Sequence, residues 1–129
     1  MRATTLPTSQ AARAALDELD QALGRLTATT PLGIWRWSVL ESMMTARGLL
    51  VDESAMPDDW LADRRSTAMR ERNALLDRMS ALRLRVIADR DVDQVAHELR
   101  RLVVDVRHHL QRVHDLAYDT VSEEVGGSE

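Results

Sequence analysis

The feature that most constrains the fold is a run of about 30 residues, 92–121, in which apolar side chains recur with a seven-residue rhythm. The positions that carry the rhythm are Val92, Val95, Leu99, Leu102, Val106, Val113, Leu116 and Thr120. His109 alone interrupts it. Such a rhythm predicts one helix, about 45 Å long at 1.5 Å per residue, that packs along most of its length against other helices.

Three further helical segments precede this run. The first is predicted over about 9–26, and the second from Thr30–Pro31, an N-cap followed by proline, to about residue 52. The third is predicted from about Pro57 to residue 88, with a break near Ser66. Because no segment alternates apolar and polar residues, the sequence predicts no strands.

The connection between the last two helices sets the architecture. The turn at Arg90–Asp91 is short, and Asp91 is suited to cap the fourth helix. A short turn predicts antiparallel neighbours. We therefore expect an all-α, antiparallel four-helix bundle with a long C-terminal helical hairpin, forming one domain over 1–125. The fourth helix is expected to end near Val121, with a flexible tail over 126–129 that includes the glycine pair.

Composition excludes several classes of protein. The 129 residues include no Cys, which excludes disulfide frameworks, Cys-ligated zinc and thiol catalysis. All 17 basic residues are Arg, yet the net charge is −4, which disfavours nucleic acid as a partner. No apolar run approaches the roughly 20 residues of a membrane span. Since the N-terminal segment lacks the apolar stretch of a secretory signal, we expect a cytoplasmic protein.

Two stretches of the third and fourth helices resemble a set of small all-helical actinobacterial proteins of uncharacterised function. They are RERNALL at 70–76 and ELRRLVVDVRHHLQRVHDLAYD at 98–119. The use of Arg without Lys is typical of a high-GC bacterial source. The resemblance implies a helical fold but no activity and no catalytic residues. It would make His109, Asp105 and Tyr118 the first positions to test.

The second helix is unusual because it carries two apolar stripes. One stripe consists of Trp37, Leu40, Met44 and Val51. The other consists of Trp35, Val39, Met43, Ala46 and Leu50. A helix that is apolar on two sides needs two partners, so it is either central in the bundle or part of a homodimer interface.

Trp and Met are favoured in interface cores, and each of the two stripes carries one of each. We place the interface on Trp35, Val39, Met43 and Leu50. On this interpretation, Trp35→Arg shifts a dimer toward monomer and leaves the helices intact.

A few polar residues break the apolar pattern. Arg65 and Arg72 fall within the apolar face of the third helix, and His109 interrupts that of the fourth. A buried Arg needs a carboxylate or water, and Glu41 and Asp105 are candidate partners. Asp105, four residues before His109, is expected to accept its ring proton. Two interpretations stay open: structural hydrogen bonds and ion pairs, or an anion-binding pocket formed by these five residues.

Motifs for catalysis and metal binding are missing from the sequence. The first 96 residues contain no His, and the Glu-x-x-His pairs of di-iron bundles do not occur. Neither a glycine-rich phosphate loop nor a Gly-x-Ser-x-Gly elbow is found. We therefore expect no metal and no cofactor.

The leading functional prediction is a non-enzymatic interaction module that self-associates as a homodimer, through the second helix or through the hairpin of the third and fourth helices, or that binds another protein. The alternative is a small-molecule or anion-binding bundle, or an enzyme, that uses the Arg/His/carboxylate pocket.

Overall fold

The computed structural model describes the backbone of residues 7–52 and 62–127 and the side chains of 10–52 and 63–116. Within these ranges the chain forms four α-helices and no strand: α1 (Pro7–Gly24), α2 (Leu32–Val51), α3 (Ala62–Ala88) and α4 (Val92–Gly127). Each helix packs against two others, in the order α1–α2–α3–α4 and back to α1. This ring confirms the predicted all-α four-helix bundle.

The core follows the helical spacing of the apolar residues. On α1, Leu16, Leu19 and Leu23 are fully buried, and small alanines beside them let the neighbouring helices approach closely. The buried apolar residues of α4 are Val95, Ala96, Leu99, Leu102, Val103, Val106 and Leu110. Burial of each large aliphatic side chain contributes about 1.5–3 kcal/mol. The single apolar stripes of α1 and α4 are thus in the core, as the sequence predicts.

Polar contacts close the ring between α1 and α4. The Arg107 guanidinium donates to Asp17 Oδ1 at 2.7 Å and to Asp20 Oδ2 at 3.0 Å. About two turns before Arg107 on α4, Arg100 donates to the Leu23 carbonyl oxygen at 3.3 Å. These bonds fix the end of α1 against the middle of α4.

A capped turn joins α3 to α4. The Gln94 backbone N–H donates to Asp91 Oδ1 at 3.2 Å, which is the predicted N-cap. Asp89 Oδ1 accepts the Asp91 N–H at 2.9 Å. This bond and a second one from Arg85 hold the pKa of the Asp89 carboxyl below its ordinary value. The predicted α3–α4 hairpin is therefore confirmed, together with its cap.

The N-terminus of α2 differs from its prediction. The cap position is Pro31, and no side chain makes a capping hydrogen bond. Thr30 was expected to cap this helix, but its hydroxyl donates to the Arg25 carbonyl oxygen at 2.6 Å. The hydroxyl also accepts the backbone N–H of Thr27 at 3.2 Å, so its donor and acceptor bonds are both made with the turn after α1 and not with the N–H groups of α2.

Two other boundaries also differ. The predicted break near Ser66 is wrong, because α3 passes through this residue without interruption. The α4 helix continues to Gly127, past its predicted end near Val121. Position 57, the predicted start of the third helix, lies outside the described residues, and flexibility of 126–129 stays a prediction.

A second, smaller apolar cluster lies toward the start of α3 and the later part of α4. Ala68 is buried there, and Met69, Val113 and Leu116 pack around it. This cluster is separate from the main core. The long hairpin therefore has apolar packing of its own beyond the four-helix section.

Candidate functional site

One apolar stripe of α2 lies inside the bundle. Trp35 is 2% exposed, and Val39, Met43 and Leu50 are equally buried. These four residues were predicted to form a dimer interface, and that prediction is wrong. They pack in the core of a single chain because α2 lies between α1 and α3, which cover this side of the helix.

The other stripe of α2 is exposed. Trp37 is 63% exposed, Met44 is 67% exposed and Val51 also lies on the surface. Their seven-residue spacing keeps them on one line along the helix. Leu40 lies between them and packs partly against the core. Ile34 is exposed at the start of the same helix.

Exposed residues of α3 extend this surface. The Arg36 guanidinium donates to the Asp89 carbonyl oxygen at 3.1 Å and so joins the start of α2 to the end of α3. The two helices are antiparallel, and Leu84 lines a groove between them together with Met44, while Ile87 is exposed about one turn further along α3. We call the whole surface the α2–α3 apolar face. Its members are Ile34, Trp37, Met44, Val51, Leu84 and Ile87.

A shallow groove runs along this face. It has a volume of about 420 Å³, and Met44, Arg47 and Leu84 are among the residues that line it. Monomeric proteins rarely expose large contiguous apolar patches, and such patches commonly mark interaction surfaces. The stripe is flanked by two charges, Glu41 and Arg47, both exposed. The face therefore combines an apolar centre with a charged margin.

A polar cluster centred on one buried histidine lies between α3 and α4. His109 is fully buried, and its Nδ1 lies 2.5 Å from Glu71 Oε1. Arg112 donates to the same carboxylate, with Nε at 3.2 Å from Oε1 and Nη2 at 2.5 Å from Oε2. Sequence reasoning missed Glu71, because its partners are 38 and 41 residues away along the chain.

Glu71 is ionised in this cluster. Burial alone would raise the pKa of its carboxyl, but the hydrogen bonds from Arg112 and His109 outweigh burial and lower the pKa below its ordinary value. An ionised carboxylate only accepts hydrogen bonds, so Nδ1 of His109 must carry the proton. The Glu71 carboxylate of α3 thus binds both His109 and Arg112 of α4 and holds the two helices together.

The structure does not bring the five predicted ligand-binding residues together. Asp105 was expected to pair with His109, but it accepts a hydrogen bond from Arg78 Nη1 at 2.7 Å. Arg72 donates to its sequence neighbour Asn73, with Nη2 at 3.3 Å from Oδ1.

The other members of the predicted pocket are also apart. Arg65 is half-buried on α3. Glu41 is exposed on α2, which occupies the corner of the ring opposite α4. The predicted pocket is therefore wrong as a single site, because its members face different surfaces of the bundle.

The grooves beside the cluster of Glu71, His109 and Arg112 are also shallow. One of about 360 Å³ is lined by Arg78, Asp105, Arg112 and neighbouring residues. Both arginines already bond carboxylates, Arg78 with Asp105 and Arg112 with Glu71. An incoming anion would have to compete with these ion pairs, so this surface is better suited to hold α3 and α4 together than to bind a ligand.

Within the described residues, no three His, Asp or Glu side chains converge where they could hold a metal ion. None of the helices in the same ranges is long and apolar enough to span a membrane.

Comparisons with protein-family models, with curated proteins and with solved structures found no match to this chain. The resemblance of the third and fourth helices to actinobacterial proteins therefore stays a prediction.

Proposed function

We propose that this chain is a non-enzymatic helical-bundle interaction module that self-associates as a homodimer through the α2–α3 apolar face. The observation that carries the proposal is the exposure of Trp37 at 63% on a helix side that also exposes Met44 and Val51. Large aromatic residues at the centre of a patch are typical anchors of protein interfaces. Burial of this surface would stabilise a complex at about 25 cal/mol per Å², before the cost of association.

The size of the face supports self-association. The α2 stripe extends over 18 residues, about 26 Å at 1.5 Å per residue, and neighbouring helices lie about 8–10 Å apart. A face two helices wide therefore has a footprint of roughly 500 Å². Stable complexes bury about 800 Å² of accessible area per partner, which is the same order once flanking side chains are included.

The alternative drawn from the sequence is a small-molecule or anion-binding bundle. It needs Arg65, Arg72, Glu41, Asp105 and His109 to share one pocket, and their positions do not favour that arrangement. A different protein as partner, a cytoplasmic location and the lack of a nucleic-acid partner remain predictions from the sequence.

The test is the mass of the native protein and of two charge variants. Trp37→Glu places a charge at the centre of the α2–α3 apolar face. Val104→Glu is the matched control, because Val104 is an exposed apolar residue on α4, outside the face. Native mass spectrometry and sedimentation should give a dimer of the 14.6 kDa chain for wild type and Val104→Glu, and a monomer for Trp37→Glu.

Circular dichroism of both variants should show unchanged helicity. A wild-type protein that stays monomeric at every concentration would overturn the proposal. So would equal loss of dimer in both variants, since the effect would then not depend on the face.

A further inference from the structure

The groove between α2 and α3 differs in its charge from the other described grooves. Two arginines line it, Arg47 from α2 and Arg83 from α3, and no carboxylate does. In each of the other three described grooves, a carboxylate of the lining bonds an arginine of the same lining. Those pairs are Arg85–Glu98, Arg78–Asp105 and Arg112–Glu71. The α2–α3 groove is therefore positively charged, in a chain whose net charge is −4.

Both arginines of this groove have their donors available. Among the residues that the structure describes, neither guanidinium makes an ion pair or a hydrogen bond, and both side chains are exposed. The exposed Ser80 also lines the groove. A guanidinium presents several N–H donors in a planar fork that matches a carboxylate. The groove thus offers the donors that an anionic group needs.

The rest of the lining is apolar and adaptable. Met43 and Met79 are buried, whereas Met44 and Leu84 are exposed. Methionine side chains are unbranched and flexible, so they adjust to apolar molecules of different shapes. Small-molecule sites combine such apolar walls with a few polar groups that orient the ligand, and their volumes are roughly 300–1,000 Å³. The volume of the groove, about 420 Å³, lies within this range.

These two properties of the lining define the ligand. We infer that the α2–α3 groove binds a free amphiphilic carboxylate, a molecule with an alkyl chain and one acidic head. The alkyl chain contacts Met43, Met79 and Leu84, and the carboxylate accepts hydrogen bonds from Arg47 and Arg83. A neutral apolar molecule would leave the two arginines without a counter-charge, and a small hydrophilic anion would leave the apolar lining uncovered.

This site goes beyond the proposed self-association and does not require it. Met44 and Leu84 belong to both surfaces, but Trp37 does not line the groove. The site also differs from the anion pocket that the sequence predicted, because none of the five residues of that pocket lines the groove.

Decanoate is the probe, at concentrations below those at which it forms micelles. The titrated protein is Trp37→Ser, which lacks the exposed ring, so that the result does not depend on self-association. Isothermal titration calorimetry should give one decanoate bound per chain. Decanol has the same chain without the charge and should bind about tenfold more weakly or less. Acetate has the charge without the chain and should show no measurable binding.

Arginine variants test the position of the acidic head. Arg47→Gln and Arg83→Gln, made in the same background, should each weaken decanoate binding about fivefold or more. Both positions are exposed, so helicity should be unchanged. Arg101→Gln is the matched control, because Arg101 is exposed on α4 and does not line the groove. An equal loss of binding in all three variants, or no loss in the first two, would overturn the site.

A further variant supplies the missing carboxylate from the chain itself. Leu84→Glu places an acidic side chain in the groove, where it pairs with the arginines and repels decanoate, so binding should fall about tenfold or more. Val104→Glu adds the same charge at an exposed apolar position of α4 and should bind decanoate as the parent does. Unchanged affinity of Leu84→Glu would overturn the site.

Two other outcomes separate the site from its surroundings. Decanol that binds as tightly as decanoate would overturn the inference, since the arginines would then take no part in binding. A monomeric wild-type protein would overturn the proposed self-association and leave the decanoate result unaffected. The two failures are therefore distinguishable.

Discussion

Trp35 and Trp37 lie two residues apart on the same helix and have opposite environments. Trp35 is 2% exposed in the core, whereas Trp37 is 63% exposed on the α2–α3 apolar face. Two residues correspond to about 200° of rotation around a helix, so the two rings point to nearly opposite sides. The comparison shows that an aromatic residue on this helix can stabilise the fold or remain free for a partner, depending only on its position.

The largest expected effect comes from Trp35→Ala, which should lower the free energy of unfolding by about 3–5 kcal/mol because it leaves a cavity in the core. Trp37→Ala should change the free energy of unfolding of the monomer by less than about 0.5 kcal/mol. Urea unfolding at low protein concentration measures both. Similar losses in the two variants would contradict the contrast between the two positions.

The same reasoning changes the expectation for Trp35→Arg. The sequence predicted a folded monomer, but the structure places an arginine there among buried apolar side chains. Circular dichroism should therefore show loss of helicity for Trp35→Arg, since an unpaired charge in the core is very costly.

Met43 and Met44 give a second comparison of a buried with an exposed position on α2. They are neighbours of the same residue type, so only their position differs. Met43 is buried, and Met43→Ala should lower the free energy of unfolding by about 2–5 kcal/mol. Met44→Ala, at a position that is 67% exposed, should be close to neutral in the monomer. Thermal unfolding below the concentration at which dimers form measures the difference, and a larger loss for Met44→Ala would contradict it.

A charge that pairs with a buried side chain should likewise contribute more to the free energy of unfolding than a charge in an exposed pair. Glu71→Gln removes the charge that His109 and Arg112 share, and we expect a loss of about 1.5–3 kcal/mol at neutral pH. Glu71 has a lowered pKa in the folded chain, so its contribution is present above the unfolded value, near 4.5, and is lost as the pH falls through the folded value. Urea unfolding from pH 7 to pH 3 should show the gap between wild type and Glu71→Gln narrowing; a constant gap would contradict this assignment.

A smaller effect than that of Glu71→Gln is expected at the exposed pair of Arg78 and Asp105. Each side chain is more than two-fifths exposed, so solvent screens their attraction. Asp105→Asn should change the free energy of unfolding by less than about 1 kcal/mol in the same urea measurements. A loss as large as that of Glu71→Gln would show that Asp105 does more than pair with Arg78.

Sequence periodicity predicted the parts of the fold that depend on a single apolar stripe. The stripes of α1 and α4 have one apolar side each, so their buried residues could be identified without knowledge of the neighbouring helices. On α2 the two stripes are similar in size and composition. Which of them faces the core depends on where α1 and α3 lie, and periodicity within α2 carries no such information.

The candidate polar site was predicted less well for a related reason. His109 was recognised as an interruption of the α4 stripe, and it is indeed buried. Its partner was sought four residues earlier on the same helix, at Asp105, whereas its Nδ1 donates to Glu71 on α3. Contacts within a helix can be read from spacing, but contacts between helices require the register in which the two helices pack.

The order of the four helices also has a consequence for how the chain folds. The α3–α4 hairpin is joined by a capped turn at 89–91, so its contacts near the turn involve residues close in sequence. The bonds from Arg107 to Asp17 and Asp20 join residues 90 and 87 positions apart. Closure of a long loop is entropically costly and slow, so we expect the α3–α4 hairpin to form early and the contact between α1 and α4 to form last. By the same reasoning, amide hydrogens of α1 should exchange before those at the turn end of the hairpin.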